Sequence, residues 1–211
     1  MQTWDAIRAR RNVRRYRDQP IAREDLERVL EAGRRAPSSQ NWQPWHFVVV
    51  TGREQLIELA KAWERGGKHI AGSAATIALV AQEAEDQRHH DWLLYDFGQA
   101  TAFIMLAAAE LGIGSGHSAV RDQQQAQRVL GFPDGYLAVY MIGLGYPAGR
   151  PTAPPAQQTE PPAVRRGRAL APLVIRAQAQ SAPDWEHRGP PGEAFRRPDL
   201  PRRVRFFITC R

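Results

Sequence analysis

Cysteine is nearly missing from this chain of 211 residues, because Cys210 is the sole one. One cysteine excludes an internal disulfide framework and every metal site built from several cysteines. Long apolar runs are also missing. No segment offers the roughly 20 consecutive apolar residues that span a bilayer, and the first stretch, MQTWDAIRARR, lacks the apolar core of a secretory signal. We therefore expect a cytoplasmic protein with no membrane partner.

Sequence motifs for several kinds of catalysis are absent as well. No H-E-x-x-H or comparable ligand pair occurs, and the neighbouring His89 and His90 point in different directions on a helix or a strand. We therefore expect no metal site. The chain also has no G-x-S-x-G stretch and no P-loop, so Ser/His hydrolase and NTPase activities lack their motifs.

Excess positive charge is missing from the first 150 residues. The formal net charge is +7, but residues 1–150 hold 18 Lys and Arg against 17 Asp and Glu, whereas residues 151–211 hold 11 against 5. Eleven of the 16 prolines also follow residue 150. This shift predicts a folded domain over 1–150 and a disordered Pro/Arg-rich tail over 151–211. A nucleic-acid-binding module acting through that tail is an alternative function, but the balanced domain leads us to expect no nucleic-acid partner.

What the first 150 residues do contain is an alternation of helical and strand patterns. Helices are expected over 21–36, over 53–67 and from 91 into the glycines after 110, and strands over 45–51, 76–82 and 136–147. The third helix is apolar nearly all round, which is typical of a buried helix or of one at a subunit interface. Strands separated by helices indicate an α+β or α/β fold.

Two polar stretches between these elements are candidates for binding a ligand. APSSQNWQPWHF offers two hydroxyls and the Asn41 amide on a turn restrained by Pro37 and Pro44, which suits a planar heterocycle or a ribityl chain. A turn that satisfies only its own backbone is the alternative. ELGIGSGHSAVRD has three alternate glycines that let backbone N–H groups approach a ligand, but such glycines also end ordinary helices, and the stretch is no dinucleotide fingerprint.

Four segments taken together resemble the nitroreductase-like FMN-dependent oxidoreductase family. They are IRARRNVRRYRDQPI, LEAGRRAPSSQNWQPWHFVVV, LGIGSGHSAVRD and IGLGYPA, in the family's order and spacing from the N-terminus to about Pro151. The resemblance implies an α+β, nitroreductase-like fold with a central, mainly antiparallel sheet flanked by helices. It also implies an intertwined homodimer that binds FMN non-covalently in two sites at the subunit interface.

The same resemblance assigns cofactor-binding roles at the matching positions. The arginine motif, R-R-S-x-R in the family, holds the flavin phosphate, ribityl chain and pyrimidine edge, and corresponds here to Arg10, Arg11, Asn12 and Arg14. The P-S-S-x-N turn of the second subunit packs over the cofactor, and corresponds to Pro37, Ser38, Ser39 and Asn41. The segment along the isoalloxazine near N5 corresponds to His117, Ser118, Ala119 and Val120. Lys68 is a further candidate, for the pyrimidine.

The resemblance implies a ping-pong oxidoreductase. NAD(P)H reduces FMN and leaves, and a small organic acceptor of nitroaromatic, quinone or enone type then takes the electrons from the same position. The chemistry belongs to the cofactor, so no side chain is assigned a catalytic role. Trp42, Trp92 and Tyr95 are candidates for the acceptor side, although aromatic residues at such positions are commonly core. A non-catalytic flavin or ligand carrier on the same fold is the alternative.

The tail departs from the family pattern after GYPAGRP. Similar family members continue with a stretch like KPNRRPFDEVVH, whose arginines reach the FMN phosphate, whereas this chain reads QQTEPPAVRRGRALAPLV. With suitable codons, 156–174 read one nucleotide later give PSKPNRRPFDEVVHWRRW and then a stop. We therefore predict that the residues after about 155 are out-of-frame translation. Arg165, Arg166 and Arg168 lie near the two missing arginines.

Overall fold

A computed structural model describes residues 2–63 and 65–149 and, at the level of the backbone, 207–209. The described α-helices are α1 (Thr3–Ala9), α2 (Arg23–Arg34), α3 (Arg53–Ala60), α4 (Lys68–Ala71), α5 (Gln87–Glu110) and α6 (Gln123–Leu130). The described strands are β1 (His46–Val50), β2 (Ala75–Gln82), β3 (Gly114–Ala119), β4 (Tyr136–Gly145) and β5 (Phe207–Thr209). The predictions for the tail over 151–206, including its three arginines and the change of reading frame, lie outside the described residues, as does Cys210.

The strands form one sheet in the order β3-β4-β2-β1-β5. The first three pairings are antiparallel, and β5 pairs with β1 in parallel. This arrangement confirms the prediction of an α+β fold with a mainly antiparallel central sheet. The predicted strands over 45–51, 76–82 and 136–147 are all present, with bounds that differ by one or two residues.

Helices cover both faces of the sheet, which explains why β1 and β2 are buried at successive positions and mostly apolar. On one face, Phe47 of β1 and Ile77 of β2 pack with buried side chains of α2 and α5. On the other face, Val48 and Ala78 pack with α3, α4 and α6. Successive residues of a strand point to opposite faces, so each of these strands contributes to both layers of the core.

The long apolar helix α5 lies only partly in the core. It begins at Gln87, four residues before the predicted start, where the Asp86 carboxylate accepts a hydrogen bond from the His89 backbone N–H. Its length and mean hydropathy meet the requirements for a membrane span. However, Leu93, Phe97 and Ile104 are buried in the core, whereas Tyr95 is 68% exposed. Within the described residues one face of α5 is therefore buried and the other is open. The expectation of a helix buried within its own chain is thus met only in part, and the alternative of a subunit interface stays a prediction.

The sequence predicted none of the short helices α1, α4 and α6 and neither of the strands β3 and β5. Of these, β3 lies where a helix exit was expected. The glycines of GIGSG were expected to follow the helix as its exit, yet only Gly112, with φ of 71°, serves as the helix stop. Gly114 and Gly116 belong to β3, which pairs with β4 along its whole length. Glycine and serine have low strand propensity, so local sequence gave no signal for this strand.

Candidate functional site

The arginine-rich segment that follows α1 lies alongside β3. Asn12 pairs with Ser115 in a parallel bridge, and the Val13 backbone N–H donates a hydrogen bond to the Ser115 carbonyl oxygen at 2.8 Å. Further on, Tyr16 forms an antiparallel bridge with Pro147 just beyond β4. The segment from residue 10 to 16 is therefore attached by its backbone at two points, and its side chains are held in a fixed register against the sheet.

Four glycines of β3 and β4 make this attachment possible. Gly114 is paired with Gly145 and Gly116 with Gly143, so the four positions form a surface without side chains that we call the glycine trough. A Cβ on Gly114 would lie 2.8 Å from the Val13 side chain, and a Cβ on Gly116 would lie 2.5 Å from the Val13 carbonyl oxygen. The glycines are therefore required for the close contact between the segment of residues 10–16 and the strands β3 and β4.

The ring of Tyr16 fills the other end of the glycine trough. A Cβ on Gly145 would lie 2.8 Å from this ring. The Tyr16 hydroxyl lies 2.7 Å from the Val13 carbonyl oxygen and 2.9 Å from that of Gly143, and it donates its proton to these acceptors. Burial raises the pKa of Tyr16 well above its ordinary value, so the hydroxyl stays protonated and remains a donor.

His69 of α4 also lies against the glycine trough, where a Cβ on Gly116 would be 3.2 Å from its ring. Its side chain is buried, with 5% exposed, and Nε2 lies 3.0 Å from the Gly116 carbonyl oxygen. Because a carbonyl can only accept, the ring proton is on Nε2. Burial is the largest cause that lowers the pKa of His69, and the nearby charges of Arg14 and His117 lower it further. His69 is therefore a neutral donor at neutral pH.

The guanidinium groups of the motif remain open to an anion. The Arg11 side chain donates to the backbone carbonyls of Arg8 and Arg10, and the Arg10 side chain approaches Asn12 Oδ1 at 3.4 Å. Among the ion pairs between described residues, none involves Arg10, Arg11 or Arg14. The attached segment thus presents three positive charges that no described carboxylate neutralises.

The other predicted residues near β3 differ in how far the fold already uses them. His117 is exposed, whereas the buried Ser118 donates its hydroxyl to the Ala119 carbonyl oxygen at 3.2 Å. Val120 packs in part against the apolar layer formed with α3 and α6. Lys68 is exposed and directly precedes His69. The structure therefore brings Lys68, β3 and the arginine motif to one region of the molecule.

The Pro37–Asn41 turn belongs to a different surface, next to α5. Ser39 donates from its backbone N–H and its hydroxyl to the Asp96 carboxylate, at 2.9–3.0 Å. Ser38 Oγ accepts from the Gln43 backbone N–H at 2.9 Å. The sequence offered a ligand-binding turn and a self-satisfied turn as alternatives, and the Ser38 bond is of the second kind. The bonds to Asp96, however, anchor the turn to another element.

Two of the predicted acceptor-side aromatics meet through His89, which was considered in the sequence only as a metal ligand. His89 makes edge-on contacts with Trp42 and with Trp92, with ring centroids 6.4 Å and 5.5 Å apart. The Arg88 guanidinium lies 4.6 Å from the Trp92 ring centroid. Tyr95, one turn along α5, is largely exposed. The sequence signal for this cluster is the helical spacing of His89, Trp92 and Tyr95.

No group of three or more His, Cys, Asp or Glu within the described ranges has the arrangement to hold a metal ion.

Comparisons with known proteins agree with this architecture. The Nitroreductase family model matches residues 7–146. A protein of Archaeoglobus fulgidus, named provisionally as an NADH dehydrogenase/NAD(P)H nitroreductase, is 36% identical over 145 residues, which are 67% of this chain and 83% of the relative. The structure of an FMN-dependent nitroreductase from Clostridium difficile R20291 has a TM-score of 0.65 at 27% identity, covering 72% of this chain and 92% of its own. The structure of a nitroreductase family protein from Clostridium novyi NT has a TM-score of 0.65 at 26% identity. The match covers 73% of this chain and 89% of the Clostridium novyi chain.

The chain therefore belongs to the nitroreductase family. This membership confirms the resemblance that the four sequence segments indicated.

Proposed function

We propose that this protein is an FMN-dependent oxidoreductase that uses NAD(P)H to reduce a small organic acceptor. Family membership supports the reaction class, and relatives named FMN-dependent nitroreductase and NAD(P)H nitroreductase support the cofactor and the donor. The observation that carries the proposal is the arginine segment fixed on the glycine trough with its guanidinium groups open to an anion. An NAD(P)H-using enzyme also suits the cytoplasmic location that the sequence predicts.

The residues of this region fit an FMN molecule. Its phosphate needs positive charge and hydrogen-bond donors, and the planar, always charged guanidinium groups of Arg10, Arg11 and Arg14 provide both. Asn12 offers an amide that can donate as well as accept, in place of the serine hydroxyl of the family motif. Lys68 would hold the pyrimidine edge. The β3 residues from His117 to Val120 would lie along the ring system.

Bound FMN would supply the capacity to accept an electron pair from one small molecule and pass it to another. The protein's own contribution is positive charge fixed in advance, which favours an anionic form of the ligand without reorganisation. Donor and acceptor would occupy one position in turn, so we expect ping-pong kinetics. Trp42, Trp92 and Tyr95 would line the acceptor side, where flat rings favour nitroaromatic, quinone or enone compounds.

A homodimer would complete the site. The open face of α5 carries Tyr95, Gly98, Ala102 and Phe103 at helical spacing, and a Cβ on Gly98 would meet nothing within 4 Å. Neighbouring α1 adds Trp4, which is 65% exposed. A helix face with small residues between aromatic ones lets another helix approach closely. We propose a second copy as its partner, whose Pro37, Ser38, Ser39 and Asn41 would pack over the flavin.

The decisive test is anaerobic rapid mixing of the FMN-loaded protein, first with NADH or NADPH and then with acceptors from the three classes. We expect the visible flavin absorbance to disappear with the donor and to return with the acceptor. Bound flavin that neither donor bleaches would favour the non-catalytic carrier instead. A DNA mobility shift that is salt-dependent and survives truncation after Arg150 would favour the nucleic-acid-binding alternative.

A further inference from the structure

A buried carboxylate in α5 takes no part in the proposed chemistry. Asp96 is 0% exposed, and no ion pair between described residues includes it. Both of its oxygens accept from the Ser39 backbone N–H, at 2.9 and 3.0 Å, and Oδ1 also accepts from the Ser39 hydroxyl at 3.0 Å. A buried carboxylate is unfavourable unless such bonds compensate it. We therefore ask which role in the fold or in the site requires a carboxylate at position 96.

The turn that Asp96 holds is strained. Gln40, Asn41 and Gln43 have φ values of 52°, 58° and 53°, a left-handed conformation that residues other than glycine seldom adopt. Three such residues within four positions persist only where the surroundings impose the conformation, and they concentrate at functional sites. The bonds within the turn, such as Gln43 N–H to Ser38 Oγ, shape the turn but do not place it on the molecule.

The position of the turn therefore depends on α5. Asp96 fixes Ser39 to this helix, and the edge-on contact between Trp42 and His89 is a second link to it. Tyr95, next to Asp96, lies on the open face where we propose that a second copy binds. One helix thus carries the dimer contact on its outer side and the anchor of the turn on its inner side.

We propose that Asp96 is a positioning residue for flavin binding. Its carboxylate holds the strained turn of residues 38–43 so that Ser38 and Asn41 are presented to FMN in the partner subunit. Asp96 itself does not touch the cofactor. The carboxylate is required because it only accepts, and both groups of Ser39 donate to it; an asparagine would turn an NH₂ group towards one of these donors. This inference rests on the proposed function.

The test compares Asp96→Asn with wild type in the full chain by two measurements, FMN affinity and backbone hydrogen exchange. We expect Asp96→Asn to weaken FMN binding by about tenfold or more, the effect of losing hydrogen bonds to a charged group. Exchange should accelerate in residues 38–43 and remain unchanged in β1 and β2. Ser39→Ala, which removes one of the bonds, should show a smaller loss in the same direction.

Glu54→Gln is the matched control, because it neutralises an exposed carboxylate of α3, which packs on the opposite face of the sheet from α5. It should bind FMN as wild type does. Mixed dimers provide the cross-subunit test, with Asp96→Asn in one chain and Arg14→Ala in the other. By the proposal, each site takes its arginine segment from one chain and its turn from the other. One site of the mixed dimer then carries both changes and the other site carries neither, so half of the sites should bind FMN with wild-type affinity.

Equal FMN affinity of Asp96→Asn and wild type would overturn the inference and leave the proposed function standing. Faster exchange throughout the chain would also overturn it, because Asp96 would then act on general stability. Mixed dimers without any wild-type site would refute the presentation to the partner subunit. Failure of the wild type to bind FMN would instead contradict the proposed function, while the exchange of residues 38–43 would still test the anchor.

Discussion

At the scale of single residues, the glycine trough shows that missing side chains can determine where the arginine segment, the proposed binding segment, lies on the sheet. Gly116 lies where a Cβ would be 2.5 Å from the backbone carbonyl of Val13, and a backbone atom cannot rotate away as a side chain can. The positions of Asn12 and Arg14 therefore depend on Gly116, a residue to which the proposal gives no contact with FMN.

Gly116→Ala should displace the arginine segment from β3. We expect the free energy of unfolding to fall by about 1–3 kcal/mol, as for other overpacked sites, and FMN affinity to fall with it. Gly72→Ala is the control, because a Cβ there would meet only the His69 carbonyl oxygen at 3.9 Å. Denaturant titration and FMN fluorescence titration measure the two effects. Unchanged FMN affinity of Gly116→Ala would show that flavin binding does not depend on the close packing of the arginine segment against the glycine trough.

His69 predicts a dependence of stability on pH. Burial lowers the pKa of His69 in the folded protein, so the unfolded chain binds a proton more readily than the folded one. The stabilisation of the folded state by neutral His69 is complete above the ordinary histidine pKa of about 6.5. It is lost as the pH falls from there towards the lower pKa that His69 has in the folded protein.

His69→Gln keeps an N–H donor for Gly116 but cannot be protonated. Between pH 7.5 and 5, wild type should lose more free energy of unfolding than this variant, with a difference of at most about 1.4 kcal/mol per pH unit. Urea unfolding over this range measures the difference, and contributions from carboxylates common to both proteins cancel. Parallel pH profiles of the two proteins would contradict a neutral, buried His69.

At the scale of elements, α5 has two different faces that a single apolar helix pattern conceals. Its inner side packs Leu93, Phe97 and Ile104 into the core, and its outer side is exposed. Gly98 lowers the helix propensity of α5, yet no contact within the described chain requires a glycine there, because a Cβ would meet nothing within 4 Å. Contact with a second helix would explain this glycine.

Gly98→Leu should therefore prevent dimerisation while the subunit still folds. A Cβ there would meet nothing within 4 Å, so a leucine would extend from the open face into the space of a close partner helix. Light scattering should report a dimer for wild type and a monomer for the variant. Glu24→Leu adds the same side chain to an exposed position of α2 and should leave the dimer intact. A dimer that tolerates Gly98→Leu would place the interface on another surface.

At the scale of the whole molecule, the family match ends at residue 146, just before the change in composition. The boundary near Pro151 and the out-of-frame origin of the following residues stay predictions. The backbone of Phe207–Thr209 pairs with β1 in parallel, so the far end of the chain covers an edge of the sheet that would otherwise be open. Sequencing the gene across this region tests the reading frame, and an unbroken frame with no family-like alternative would refute it.

Replacing 156–211 by the frame-restored segment should raise FMN occupancy and the melting temperature. The restored arginine pair would add charge at the phosphate, and the restored chain would regain the family's C-terminal packing. A chain ending at Arg150 is the control, because it loses the tail and its strand β5, as the restored chain does, but lacks the restored segment. Visible flavin absorbance per protein and thermal unfolding measure both effects. Equal values for the present and restored chains would show that the tail does not weaken the site.

The sequence alone determined α2, β1, β2 and β4, the family and the motif positions, because periodicity and short motifs are encoded locally. The tertiary structure decided the rest through contacts between distant residues. Tyr16 reaches Gly143 across 127 positions, and Ser39 reaches Asp96 across 57. No local pattern reveals that β3 is a strand or that its glycines receive Val13. Likewise, burial of Asp96 beneath the turn is fixed only when α5 packs on the sheet, because the same carboxylate on an isolated helix would be solvated.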